Sequence, residues 1–152
     1  MKTLVIGAAI IDIIMKIKRL PKSGEDILCS ETVSTVGGCA YNVAGTLRGF
    51  GVDHDLFVPV GRGMYGDMIA GDLEKLGYQI LIREEESDNG YCLCLVEEDG
   101  ERTFITVKGA EGRFRPSWFE QLSQDAYGSI YVAGYQVCGA SGRVISDWMA
   151  GA

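Results

Sequence analysis

Histidine and paired cysteines are scarce in this sequence of 152 residues. His54 is the only histidine, and the cysteines show no Cys-x-x-Cys spacing, which argues against a zinc site. The odd number of cysteines suits a reducing compartment better than a disulfide framework. They are Cys29, Cys39, Cys92, Cys94 and Cys138.

Long hydrophobic runs are also missing. The apolar stretch near the N-terminus is interrupted at Asp12 and is shorter than the roughly 20 residues that a membrane-spanning helix needs. No small-residue cleavage pattern follows it, so we do not interpret it as a signal peptide. We therefore expect a soluble, cytoplasmic protein without a membrane partner.

Basic residues are outnumbered, with 14 Lys and Arg against 21 Asp and Glu and a formal net charge of −7 at pH 7. Such a chain repels phosphate backbones, which disfavours a nucleic-acid partner. The 47% of apolar and 23% of charged residues are typical of globular proteins, and the length fits one domain. Composition thus argues against a disordered, coiled-coil or multidomain protein.

Apolar runs and helical periodicities alternate along the chain. Strands buried on both faces of a parallel sheet are predicted over residues 4–11, 56–60 and 130–133. Helices are predicted over residues 40–50, about 65–76, from about 116 onwards, and 141–149. This alternation predicts an α/β fold.

Two pairs of short strands interrupt the alternation. They cover residues 12–17 with 26–35, and residues 91–97 with 102–108. The second pair is predicted to be an antiparallel hairpin, because Asp99-Gly100 tolerates the positive φ angles of a tight turn. We predict a small β-sheet inserted into the α/β core.

A glycine pair, Gly37-Gly38, leads directly into the first predicted helix and is followed by Asn42. Glycines there let a ligand approach the backbone, and helix N-terminal N–H groups bind oxygen atoms. The alternative is a simple loop that needs positive φ, with Asn42 solvated. The segment contains neither G-x-G-x-x-G nor a P-loop, so it does not indicate a dinucleotide site.

Asp12 is a second candidate, because a carboxylate at the end of a buried strand costs free energy unless it meets a partner or ligand. Ligands of open α/β sheets bind beyond the carboxyl ends of the strands, where Asp12 is expected. The alternative is that Asp12 caps a turn or forms a surface pair with Lys16 or Lys18.

Three weaker candidates remain. The segment 61–67 either cradles an anion with the help of Arg62 or forms a strand-to-helix turn, and the turn is favoured. His54 is interpreted as a surface loop residue. The cysteines are interpreted as small core residues, except that Cys39 lies in the glycine loop, where it could be exposed to ligand.

These motifs together resemble the N-terminal half of the ribokinase-like (PfkB) family of carbohydrate and nucleoside kinases. The matching segments are Gly7-x4-Asp12, residues 20–25, Gly37-Gly38-x3-Asn42, Val60-Gly61-x4-Gly66-Asp67, and the hairpin from Gly90 to Thr106.

The resemblance implies a Rossmann-like α/β/α core with a small β-sheet lid. It implies transfer of the γ-phosphoryl group of ATP, with Mg²⁺, to a hydroxymethyl group of a sugar or nucleoside. By position, Asp12, Gly37, Gly38 and Asn42 would bind the sugar, and Tyr91 and Gln136 would add contacts. A homodimer through the lid strands is also implied.

Three departures from the family pattern are visible. Ile10 stands where ribose-preferring members often carry Asn, and Gly63 stands where Asp is usual. The glycine-rich Gly-Ala-Gly-Asp loop, which carries the anion hole and the general base, does not occur.

We therefore expect residues 1–152 to be the N-terminal part of such a kinase, with lid strands at about 12–35 and 91–108. The nucleotide site and all catalytic residues would lie in a C-terminal half absent from this chain. This half alone is then expected to be inactive and to bind neither ATP nor a metal. The alternative is a truncated, non-catalytic module that binds sugar or dimerises.

Overall fold

The computed structural model describes residues 1–151, which fold into three β-sheets flanked by helices. The strands are β1 (Lys2–Ile6), β2 (Ile10–Lys16), β3 (Glu31–Gly37), β4 (His54–Phe57), β5 (Pro59–Val60), β6 (Ile82–Arg83), β7 (Tyr91–Val96), β8 (Arg102–Val107) and β9 (Tyr127–Val132). The α-helices are α1 (Cys39–Gly49), α2 (Met64–Lys75), α3 (Gly134–Cys138) and α4 (Gly142–Met149). Short 3-10 helices cover Ala110–Gly112, Pro116–Gln121 and Gln124–Ala126.

The core sheet is parallel, with strand order β4-β1-β9. Its central strand β1 is apolar on both faces because both are covered. Val5 belongs to a cluster that includes Ala44 of α1 and Leu73 of α2, whereas Leu4 and Ile6 belong to a cluster on the opposite face that includes Phe119 and Ile145. Alternate residues of a strand point to opposite faces, so β1 anchors both clusters. The predicted α/β/α architecture is confirmed.

The inserted sheet has strand order β3-β2-β7-β8. β2 runs antiparallel to β3 and parallel to β7, and β7 and β8 form the hairpin expected from Asp99-Gly100. Gly100 adopts a φ of +88°, which an L side chain rarely tolerates. The inserted sheet stands beyond the carboxyl end of β1, connected to it by Gly7–Ala9.

The single strand predicted over residues 4–11 is wrong, because the chain leaves the core sheet after Ile6 and enters the inserted sheet at Ile10. The run stays apolar because both sheets bury their part of it, and hydropathy does not record the change of direction. The strand predicted over residues 56–60 is likewise divided at Val58, and β5 pairs with β6 in a separate two-stranded sheet.

Two smaller expectations also differ from the structure. The strand predicted over residues 26–35 begins at Glu31, since the residues before it are irregular and the side chains of Cys29 and Ser30 donate to the Lys16 carbonyl oxygen. The helix predicted from Pro116 is a 3-10 helix that ends at Gln121.

Candidate functional site

A cavity of about 580 Å³ opens between the carboxyl ends of β1 and β9 and the inserted sheet. Its lining combines small or apolar residues with a few polar groups, as ligand sites commonly do. The lining residues are Ala8, Ile10, Asp12, Gly38, Cys39, Asn42, Cys92, Phe104, Thr106, Lys108, Glu111, Gly112, Tyr135, Gln136, Gly139 and Ser141. A second, more open cavity of about 330 Å³ lies at His54 and contains none of the sugar-site candidates.

The register of the inserted sheet decides which side chains share a face. Asp12 lies opposite Cys92, and Cys92 lies opposite Thr106, so these three residues face the cavity together. Tyr91 precedes Cys92 by one residue and therefore points to the other face. There its ring packs on Tyr65 with centroids 5.1 Å apart, and the structure does not bring Tyr91 to the cavity.

The Asp12 carboxylate lies against Gly37 of the neighbouring strand. A Cβ on Gly37 would lie 2.0 Å from Asp12 Oδ2, so the missing side chain makes room for the carboxylate. No ion pair or hydrogen bond to the Asp12 side chain is formed by any residue in 1–151, and Lys16 instead pairs with Glu31 at 2.6 Å. Desolvation by burial raises the pKa of Asp12. The group is therefore a carboxylate that faces a cavity without a protein partner.

Gly38 caps α1 with a φ of +102°, and no side chain bonds to the N–H groups of the helix's first turn. A Cβ on Gly38 would lie 2.6 Å from the carbonyl oxygen of Ala8, so glycine allows both the turn and the close approach. Asn42 follows in the first turn, is exposed, and lines the cavity. The structure thus brings Asp12, Gly38 and Asn42 together and places Gly37 beneath the carboxylate.

Gln136, on α3, lines the same cavity and is only 7% exposed. Its Oε1 atom is buried and has no hydrogen-bond partner within residues 1–151. It lies near the start of α1, because a Cβ on Gly7 would be 3.4 Å from this oxygen and 2.7 Å from the Cβ of Ala40. A buried polar atom without a hydrogen-bond partner lowers the free energy of unfolding by about 1–3 kcal/mol. A ligand that donates a hydrogen bond would remove this cost.

Glu111 is a cavity residue that the sequence reasoning missed. Although it is only 5% exposed, both carboxylate oxygens are satisfied, because Oε2 accepts from Gly90 N–H and Oε1 from Gly109 N–H, each at 2.9 Å. Gly90 precedes β7 and Gly109 follows β8, so Glu111 connects the two ends of the hairpin to the core through hydrogen bonds. The signal in the sequence was an acidic residue directly after Gly109-Ala110.

Lys108, Phe104, Thr106, Cys92 and Ser141 were missed as cavity residues as well. Thr106 and Phe104 follow from the alternation of β8 once the register with β7 is known. Cys92 likewise follows from its place opposite Asp12, whereas Lys108 and Ser141 lie outside the strands, where no local pattern records their approach to the cavity.

The turn over residues 61–67 proves to be a strand-to-helix turn whose N–H groups are used within the chain. Asp88 accepts from Tyr65 N–H at 3.1 Å and from Gly66 N–H at 2.6 Å. An aspartate at Gly63 would collide with it, since a Cβ there would lie 2.4 Å from Asp88 Oδ2. Asp88 therefore caps α2, which an aspartate at position 63 would otherwise do. Arg62 pairs with Glu85 at 2.6 Å.

His54 does not take part in the cavity. Its Nδ1 lies 2.7 Å from the Val52 carbonyl oxygen, which can only accept, so Nδ1 carries a proton. Its Nε2 lies 2.7 Å from the Tyr78 hydroxyl.

Two negative findings hold for residues 1–151. None of the helices described there has the length and hydropathy to cross a membrane. In the same residues, no group of three His, Cys, Asp or Glu side chains is placed to hold a metal ion.

Several known proteins are similar to this chain. An uncharacterized sugar kinase of Escherichia coli (strain K12), YegV, is 38% identical over 146 residues, which is 96% of this chain and 46% of that protein. The structure of ribokinase from Giardia lamblia superposes with a TM-score of 0.78 at 24% identity, covering 88% of this chain and 42% of that one. Ribokinase of Arabidopsis thaliana, complexed with ribose and ATP, gives a TM-score of 0.70 at 22% identity, covering 96% and 50%.

The two ribokinase structures establish the shared fold. The chain spans about half the length of these proteins, since the matches cover 46%, 42% and 50% of them. The profile of the pfkB family carbohydrate kinases matches residues 1–147, which is nearly all of the sequence. The chain therefore belongs to the pfkB family of carbohydrate kinases.

Proposed function

We propose that the cavity binds a sugar or nucleoside and that this chain is the acceptor-binding and lid half of an ATP-dependent kinase. The observation that carries the proposal is the Asp12 carboxylate, which faces the cavity over Gly37 without a protein partner. A carboxylate can accept hydrogen bonds from two neighbouring hydroxyl groups, as a sugar presents them. The ribose and ATP named for the Arabidopsis structure support this reading.

Two further polar residues of the cavity, Asn42 and Gln136, can help to hold a polyol. Asn42 can both donate and accept, and the unpartnered Oε1 of Gln136 accepts from a hydroxyl. Phe104 and Cys92 of the inserted sheet form the apolar wall that covers the sugar and excludes water from phosphoryl transfer. Together these groups orient a hydroxymethyl group toward a phosphoryl donor.

We place ATP, Mg²⁺, the general base and the anion hole in a C-terminal half of the protein. The residues described here do not fit them, because no set of three possible metal ligands gathers within 1–151 and the sequence has no Gly-Ala-Gly-Asp loop. A bound nucleotide with its metal supplies the phosphoryl group and neutralises its charge. We also place the protein in the cytoplasm, where ATP and reduced thiols coexist; all five cysteines are free.

The test measures the binding of a panel of sugars and nucleosides to the 152-residue protein, by calorimetry and by thermal stabilisation. We expect a sugar to bind the wild type, the Asp12→Ala variant to lose it, and the Asp53→Ala variant, changed at an exposed aspartate outside this cavity, to retain it. Equal binding by wild type and Asp12→Ala would refute the site.

The second candidate is a non-catalytic sugar-binding module. The intact mass of the protein made from its native gene distinguishes this module from the kinase. A mass near 16.5 kDa would favour the module, and a mass about twice that would favour the kinase. In the larger protein, phosphorylation of the bound sugar with ATP is the expected activity.

We further propose a homodimer through the inserted sheet, whose outer strands β3 and β8 each have one unpaired edge in this chain. Ile105 and Val107 of β8 are 51% and 44% exposed, which gives a second copy an apolar surface to cover. Sedimentation should show a dimer that Ile105→Lys dissociates and that Phe50→Lys, at an exposed residue of the α1 end, leaves intact. A monomeric wild type would refute the dimer.

A further inference from the structure

Cys39 presents an exposed thiol to the sugar cavity. The structure has five free cysteines, of which only Cys39 and Cys138 are exposed. Cys39 begins α1, directly after Gly38, and lines the cavity, whereas Cys138 does not line it. Exposure is the first requirement for a thiol to react, and it favours these two over the partly exposed Cys29 and the buried Cys92 and Cys94.

The buried Oε1 atom of Gln136 is a second and independent feature of this cavity that points to a ligand. It has no hydrogen-bond partner in the described chain, and the side chain lines the same cavity as Cys39. Asn42, one turn after Cys39 on α1, lines this cavity as well. A group attached to the Cys39 sulfur therefore enters the space that a ligand of Gln136 and Asn42 would occupy.

We propose that Cys39 is a modification site that takes up a small disulfide such as oxidised glutathione, and that the adduct prevents sugar binding. The inference rests on the proposed function, because it needs the cavity to be the sugar site. It adds a form of regulation, in which oxidation of the cellular thiol pool leads to an adduct on Cys39 that blocks the sugar site.

The chemistry is thiol–disulfide exchange. The Cys39 thiol loses its proton to solvent, and its sulfur attacks one sulfur of the disulfide. The old S–S bond breaks as the new one forms, and the departing thiolate takes up a proton. Cys39 and one half of the reagent then share a mixed disulfide, which excess thiol reverses.

The consequence is steric. The cavity measures about 580 Å³, and a glutathionyl group is a tripeptide, larger than a monosaccharide. Attached at the first residue of α1, it lies beside Gly38 and Asn42 and displaces a sugar from them. Cys138 itself does not line the cavity, so its adduct serves as the control for a modification outside the lining.

The test treats the wild type, Cys39→Ser and Cys138→Ser with oxidised glutathione, maps the adducts by peptide mass, and measures affinity for the sugar identified in the binding panel. We expect wild type and Cys138→Ser to carry an adduct on Cys39 and to lose at least tenfold in affinity, with recovery in dithiothreitol. The affinity of Cys39→Ser should be the same before and after treatment. Bound sugar should slow labelling of Cys39 and leave Cys138 unaffected.

Two outcomes overturn the inference while the proposed function stands. Cys39 remains unmodified under treatment that labels Cys138 completely, or the Cys39 adduct binds sugar as well as the untreated protein does. If instead the untreated wild type binds no sugar in the panel, the proposed function fails and the blocking role fails with it. The untreated sample therefore tells the two failures apart.

Discussion

Replacing Asp12 with Asn is the sharpest perturbation of the proposed sugar site, because it keeps the shape of the side chain and removes the charge. Hydrogen bonds to a charged group contribute about 1.5–3 kcal/mol each. If the carboxylate binds two hydroxyls and the amide keeps part of that interaction, the loss is about 2–4 kcal/mol, or roughly 30- to 700-fold in Kd. Calorimetric titration with the bound sugar measures it directly.

Protein stability should move in the opposite direction. Burial raises the pKa of Asp12 above its unfolded value, so the folded chain holds the proton more tightly than the unfolded chain does. The free energy of unfolding therefore falls as pH rises through the interval between the two pKa values and stays lower at neutral pH. Asp12→Asn removes this dependence, and its Tm at pH 7 should equal or exceed that of the wild type.

Asp55→Asn is the matched control, since Asp55 has the partners that Asp12 lacks. Lys2 Nζ lies 2.6 Å from its Oδ1, and the Tyr127 hydroxyl donates to Oδ2 at 2.9 Å. This variant should lose about 1 kcal/mol of stability and keep its sugar affinity.

The combined assay is a denaturation and titration series for both variants from pH 4 to 8. Wild-type sugar affinity should weaken toward acid as Asp12 becomes protonated, and the affinity of Asp12→Asn should lack that component. A destabilised Asp12→Asn at pH 7 with undiminished sugar affinity would refute the reasoning, because it would make Asp12 a structural residue.

Three further substitutions test the surroundings of the site. Gly37→Ala would place a Cβ 2.0 Å from Asp12 Oδ2, so sugar binding and Tm should both fall, whereas Gly45→Ala, with no atom within 4 Å, should raise helix stability by about 1 kcal/mol at most. Glu111→Gln turns one acceptor of the Gly90 and Gly109 N–H groups into a donor and should lower the urea unfolding free energy by about 1–3 kcal/mol; an unchanged midpoint would contradict its role at the hairpin. Asp88→Ala removes the cap of α2 and should cost about 0.5–2 kcal/mol, with faster amide exchange in the first turn of α2 as the local sign.

The architecture was predictable because local patterns report burial. The continuous apolar character of Leu4, Val5 and Ile6 indicated a strand covered on both faces, and Asp99-Gly100 indicated the hairpin. The backbone conformation of Gly38 was also predictable, since its place before a helix suggested the positive φ that it adopts. The prediction failed at Gly7–Ala9, because an apolar run looks the same whether one sheet or two sheets bury it.

The sequence by itself determined the fold class, because apolar periodicity is a local property, and the family, because its motifs are short runs of residues. The resemblance to that family also predicted Asp12, Gly37, Gly38 and Asn42 as sugar-binding residues, and this stays a prediction. Only the tertiary structure decided which faces meet. It turned Tyr91 away from the cavity, since neighbouring residues of a strand point to opposite sides and the register fixes which side is inside. It also set the Asp12 carboxylate over Gly37 and left Gln136 without a partner, because both depend on contacts between residues far apart in the chain.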